Sequence, residues 1–140
     1  MPRLSPRIPC FLLAITALAG CGEKGEPVVV RGNALYRGQP LAGGTVTFCP
    51  NAERGSDGPL LQGTVQDDGT FRIMPAEGTK IRPGWYRIAI APRPGSQDIP
   101  TPENPYPGLP SIFRNPVLSG LEKEVKNTGE NMFHFDLGDS

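Results

Sequence analysis

Gly63-Thr64-Val65-Gln66-Asp67-Asp68-Gly69-Thr70-Phe71-Arg72-Ile73 is the stretch on which the fold turns. Val65 stands on one side of it and Phe71 and Ile73 on the other, each alternating with polar neighbours. Alternation of this kind marks strands with one buried face. Asp68-Gly69 between them supplies the positive φ of a tight turn. The reading predicts a β-hairpin from about Leu61 to Met74, and an architecture of short strands arranged around it.

Working outward, the same alternation recurs on both sides. Upstream, Gly44-Thr45-Val46-Thr47-Phe48 points Val46 and Phe48 inward, and Pro50 ends the segment. Val28 to Tyr36 is rich in β-branched residues and reads as the first strand. Arg37 to Leu41 is a turn, and Asn51 to Pro59 a polar loop. Downstream, Gly84-Trp85-Tyr86-Arg87-Ile88-Ala89-Ile90-Ala91 places Tyr86, Ile88 and Ile90 on a core face and Trp85, Arg87 and Ala89 on the other. Leu121 to Val125 reads as an edge strand with a polar centre. Asn127 to Asn131 turns the chain into Met132 to Leu137, with Phe133, Phe135 and Leu137 inward and His134 outward. About seven short strands with turn signals between them predict an antiparallel β-sandwich. Residues 92–115 stand apart. Prolines 92, 94, 100, 102, 105, 107 and 110 remove the donors a ladder needs, so a long loop is expected there. Tyr106, Ile112 and Phe113 are its candidate anchors.

The N-terminus carries an address. Arg3 and Arg7 precede the apolar run Phe11 to Leu18, which is too short for comfortable membrane spanning. Leu18-Ala19-Gly20-Cys21 resembles the lipobox of bacterial lipoproteins. That resemblance implies a signal peptide over 1–20 and a diacylglycerol on the Cys21 thiol. It further implies a short tether over 21–27 and a single domain over 28–140, held at a membrane in the cell envelope on the exported side. Losing Arg3 and Arg7 from 14 basic residues leaves 12 against 14 acidic ones. A near-neutral chain without a basic face is not expected to bind nucleic acid. Cys10 leaves with the signal and Cys21 takes the lipid, so Cys49 has no partner for an internal disulfide. It reads as a small, partly buried residue.

Candidate chemistry is sparse. Trp85 and Arg87 on the outward face of the clearest strand, and Tyr106 in the proline-rich segment, are the candidate contact residues for a protein partner. Exposed aromatics also stack on sugars, which makes a carbohydrate-binding module the alternative. Asp67 and Asp68 precede a turn glycine and supply too few oxygens for a calcium loop. His134, with Ser119 and Asp136 as conceivable partners, lacks the nucleophile elbow of a serine hydrolase. Lys123 facing inward near Asn127 or Asn131 would be the arrangement needed for an isopeptide crosslink. One cysteine and one histidine do not suggest a metal, and no cofactor is expected.

The segments in order resemble carboxypeptidase regulatory-like domains, a transthyretin-like β-sandwich. The resemblance runs from Val30-Arg31-Gly32-Asn33-Ala34 through Gly38-Gln39-Pro40-Leu41 to Val46-Thr47-Phe48. It continues in the turn Thr64 to Phe71 and in the Gly84, Tyr86 and Ile88 pattern. Phe113-Arg114-Asn115-Pro116, Ser119-Gly120-Leu121, Glu124-Val125, Gly129-Glu130-Asn131 and Phe133 to Leu137 are similar to the ending of small bacterial lipoproteins with this domain. Lys123 departs from the pattern, which has an apolar residue there. The resemblance implies an Ig-like or transthyretin-like fold and a non-catalytic accessory or interaction module, not an enzyme. Hydrolases of purine breakdown share that fold but rely on more than one histidine.

Overall fold

The computed structural model describes residues 27–94, 108–127 and 129–138. Cys21, the leader expected over 1–20, nearly all of the expected tether, and Tyr106 lie outside them. Among the described residues there are eight strands and two single 3-10 turns. The strands are β1 (Val29–Tyr36), β2 (Gln39–Pro40), β3 (Thr45–Pro50), β4 (Leu61–Thr64), β5 (Thr70–Arg72), β6 (Gly84–Ala91), β7 (Glu122–Val125) and β8 (Glu130–Asp136). They form two four-stranded sheets, one with β1 flanked by β8 and by β2 and β5, the other in the order β4-β3-β6-β7. The all-β sandwich expected from the alternation is therefore present. No described helix is long and apolar enough to cross a membrane.

The core takes in most of the positions that alternation assigned inward, joined by Val30 and Ala34 of the first strand. Val30 and Ala34 of β1, Val46 and Phe48 of β3, Tyr86, Ile88 and Ile90 of β6, and Phe135 of β8 are all buried. Phe48 pins the two sheets together. Its ring lies 6.4 Å from Phe71, 5.8 Å from Phe133 and 6.4 Å from Phe135 in the facing sheet, and 6.0 Å from Tyr86 in its own. Burying each such side chain contributes about 1.5–3 kcal/mol before entropy.

Three expectations are corrected. The first is the hairpin. The turn is there: the amide of Gln66 donates to Thr70, that of Gly69 donates to Gln66, and Gly69 has φ 85°. The two arms part immediately, however. β4 pairs antiparallel with β3, and β5 pairs antiparallel with β1 in the other sheet. The stretch is an arch that carries the chain between sheets. Val65 is held by reciprocal backbone bonds with Gly43 and Gly44 on one side of the turn, and Gly69 accepts from Ala34 on the other. Each arm is thus satisfied by an older strand and does not need its sequence neighbour.

The second correction concerns direction. β1 and β8 run parallel, from Val29 beside Glu130 to Leu35 beside Asp136, so the sandwich is not wholly antiparallel. β8 enters from the other sheet, where β7 ends, and must begin at the corner where β1 begins. Asn131 secures that corner. Its side-chain oxygen accepts from the Lys126 amide at 2.8 Å, and its nitrogen donates to Lys126 at 3.1 Å and Val29 at 3.4 Å. Gly32 makes the parallel approach feasible, because a Cβ there would lie 1.7 Å from the Phe133 carbonyl oxygen. The third correction is the count, eight strands where about seven were read. β2 is a two-residue bridge formed by what reads as turn sequence.

Two loops are more ordered than their composition suggests. Asn51 caps the Ala52–Arg54 turn by accepting from the Glu53 amide at 3.1 Å. At the end of the proline-rich segment, Leu109 is buried and a second turn, Ser111–Arg114, sits beside β6. Phe113 packs against the core and Ile112 is exposed. Among the described residues of this segment, Leu109 and Phe113, rather than Ile112, are the anchors.

Candidate functional site

Trp85 and Arg87 lie on the outer face of β6, as alternation places them, and both are half-buried. What covers them is the Asn51–Gly55 turn. The amide of Asn51 donates to the Trp85 carbonyl at 2.9 Å, and Ser56 Oγ accepts from the Trp85 amide at 2.8 Å. The turn is thereby stapled across the strand. Its Arg54 guanidinium stands 4.2 Å from the centre of the indole ring, a cation–π contact. Arg87 pairs with Glu53, and Glu122 of the neighbouring strand gathers the remaining polar groups. Glu122 accepts from Asn51 Nδ2 at 2.7 Å and from Arg54 at 3.1 Å, and lies 3.7 Å from Arg87. One face of Trp85 is therefore occupied by Arg54, and a sugar stacking on that face must displace it.

The other candidates have local partners. Ser119 is buried; its hydroxyl donates to the Ile88 carbonyl at 2.5 Å and accepts from the Leu121 amide at 3.2 Å. This fastens the start of β7 to β6. His134 lies on the outer face of β8 in the opposite sheet, exposed, with Nδ1 against Asn33 Oδ1. Asp136 accepts from the Gly138 amide. The three groups are not brought together. Asp68 accepts from both the amide and the hydroxyl of Thr70, at 2.9 and 2.6 Å. The Thr70 hydroxyl leads the contacts that hold its carboxyl below the usual value. Cys49 is partly buried beside Arg87, and burial pushes its thiol pKa up, which disfavours the reactive thiolate. Burial likewise raises Tyr86, whose hydroxyl donates to Arg82 at 2.7 Å. Lys123 points inward opposite Tyr86, its ammonium 5.7 Å from the centre of the Phe135 ring. The stem substitutes for the apolar residue expected there, and Asn131 is engaged with backbone.

A further recess lies elsewhere on the described surface, at the arch. It is an open groove of about 870 Å³ where the outer face of β1, β5 and β8 meets the edge of β4. Arg31, Asn33, Arg72 and Met132 stand on one wall, Thr64 and Gln62 on the other, with Met74 at the rim. Gly63 and Gly32 keep its floor low. Met74 and Met132 are 68% and 61% exposed, which is high for apolar side chains at the mouth of a recess. Sequence reasoning did not single out this groove. Arg31, Asn33, Arg72 and Met132 are ordinary outward positions of their strands, and only the pairing of β1 with both β5 and β8 assembles them.

Compared with models of protein families, with characterised proteins and with solved structures, the chain shows no match.

Proposed function

We propose that this chain is a lipid-anchored, non-enzymatic module of the cell envelope, acting in protein interaction or envelope structure. The observation that carries the binding role is the arch groove, an open recess with exposed thioethers and hydrogen-bonding side chains on rigid strands. The address rests on the lipobox-like run ending at Cys21, and the kinship on the resemblance to carboxypeptidase regulatory-like lipoprotein domains.

Crosslinking of the tagged chain in intact cells, followed by mass spectrometry, tests the reading. A reproducible protein partner supports it. Retention of envelope glycan with no protein partner would replace it by the carbohydrate-binding alternative, in which Trp85 is the platform and Trp85→Ala abolishes retention. Metabolic labelling with palmitate tests the anchor: label is expected on the chain and lost in Cys21→Ser.

A further inference from the structure

The chain carries equal numbers of acidic and basic residues, yet the arch groove does not share that balance. Arg31 and Arg72 line the arch groove, and no aspartate or glutamate does. The two arginines are direct cross-strand partners in the β1–β5 ladder. Like charges placed opposite each other weaken a sheet. Arg31 is partly relieved, because its Nε pairs with Glu130 on the side away from β5. The Arg72 guanidinium has no ion-pair or hydrogen-bond partner among the described residues. An exposed, unpaired guanidinium beside a second one, in a recess of one charge sign, concentrates positive potential there. Guanidinium forks match carboxylates two bonds at a time.

We propose that the arch groove is a docking site for an acidic segment of a partner protein, with its carboxylates on Arg72 and Arg31. This rests on the interaction-module reading and specifies its partner. Two further features distinguish a peptide from other polyanions. Met74 and Met132 flank the cations, and flexible thioethers accommodate varied apolar side chains. Sugar recognition favours exposed aromatic platforms, and the only aromatic ring in the lining, Phe71, is buried. Asn33 and Gln62 on opposite walls supply amides for the peptide backbone.

The test is selection from a displayed random-peptide library by the full-length chain in nonionic detergent. Enrichment of peptides in which aspartate or glutamate adjoins an apolar residue is expected. An enriched peptide, labelled and titrated by fluorescence anisotropy, should bind about tenfold more weakly to Arg72→Gln, and more weakly as salt rises. Arg82→Gln, a surface arginine remote from the groove, should leave binding unchanged, and circular dichroism should show all variants folded. Enrichment without acidic residues, or equal binding to Arg72→Gln, overturns the proposal. So does binding of a uronate oligosaccharide by the groove with no peptide enriched. A protein captured in cells equally well by Arg72→Gln would leave the interaction-module reading standing while this inference fails.

Discussion

Gly63→Ala decides between an arch and a hairpin by the sign of its effect. In the arch, a Cβ at Gly63 would lie 2.6 Å from the Arg72 carbonyl oxygen and 3.2 Å from Ile73 Cδ1. Carbon and carbonyl oxygen approach comfortably only at about 3.3 Å, so β4 and β5 must separate by about 0.7 Å. Neither is free to move. Gly63 is in register with Val46 of β3, and Arg72 with Arg31 of β1. Overpacking of this kind costs about 1–3 kcal/mol. In a hairpin the same methyl would project from the face of one sheet, and removing glycine would stabilise the strand by about 0.5–1 kcal/mol. Urea unfolding of the full-length chain, followed by the fluorescence of its single tryptophan, Trp85, measures the difference. A lower midpoint with an unchanged slope is expected. Gly108→Ala, where a Cβ meets nothing within 4 Å, is the control and should stay within about 0.5 kcal/mol of the parent. A Gly63→Ala variant as stable as the parent, or more so, would refute the arch.

Three other outcomes follow from the packing and the titrating groups. Phe48→Ala removes the ring shared by both sheets and should cost about 3–5 kcal/mol in the same assay. Asp68 has a carboxyl held below its usual value by Thr70, so its contribution is present above the unfolded value and lost as pH falls through the folded one. Stability measured from neutral pH down past the ordinary carboxylate range should therefore fall less in Asp68→Asn than in the parent. Burial raises the Cys49 thiol, so peptide-resolved alkylation at that residue should have a pH midpoint above that of a free cysteine, and urea should lower it. A midpoint below the free value would count against the partly buried placement.

Strand positions and their inward faces were legible because alternation is a local signal, and burial follows it in β3, in β8 and at Tyr86, Ile88 and Ile90 of β6, although Ala89 on the outer face of β6 is buried as well. The outward placement of Trp85, Arg87 and His134 followed from the same rule. The hairpin expectation failed for a reason visible at Asp67-Asp68-Gly69. Turn chemistry specifies how tightly a chain reverses, not whether the arms that leave it pair with each other. Gly63 and Gly32 carry the missing information, but a glycine shows its purpose only against the carbonyl it admits. The same limit hid the groove, since Arg31 and Arg72 are 41 positions apart in numbering and meet only across a ladder.

By itself, then, the sequence determined an all-β chain and the inward side of most of its strands. These depend on side-chain period and turn residues, which are written within a few residues of one another. Only the tertiary structure decided that β4 and β5 belong to different sheets, that β8 lies parallel to β1, that Arg54 covers Trp85, and that two arginines share the arch groove. Those outcomes depend on which distant backbone satisfies each donor and acceptor, a choice made by the whole sandwich when it closes around Phe48.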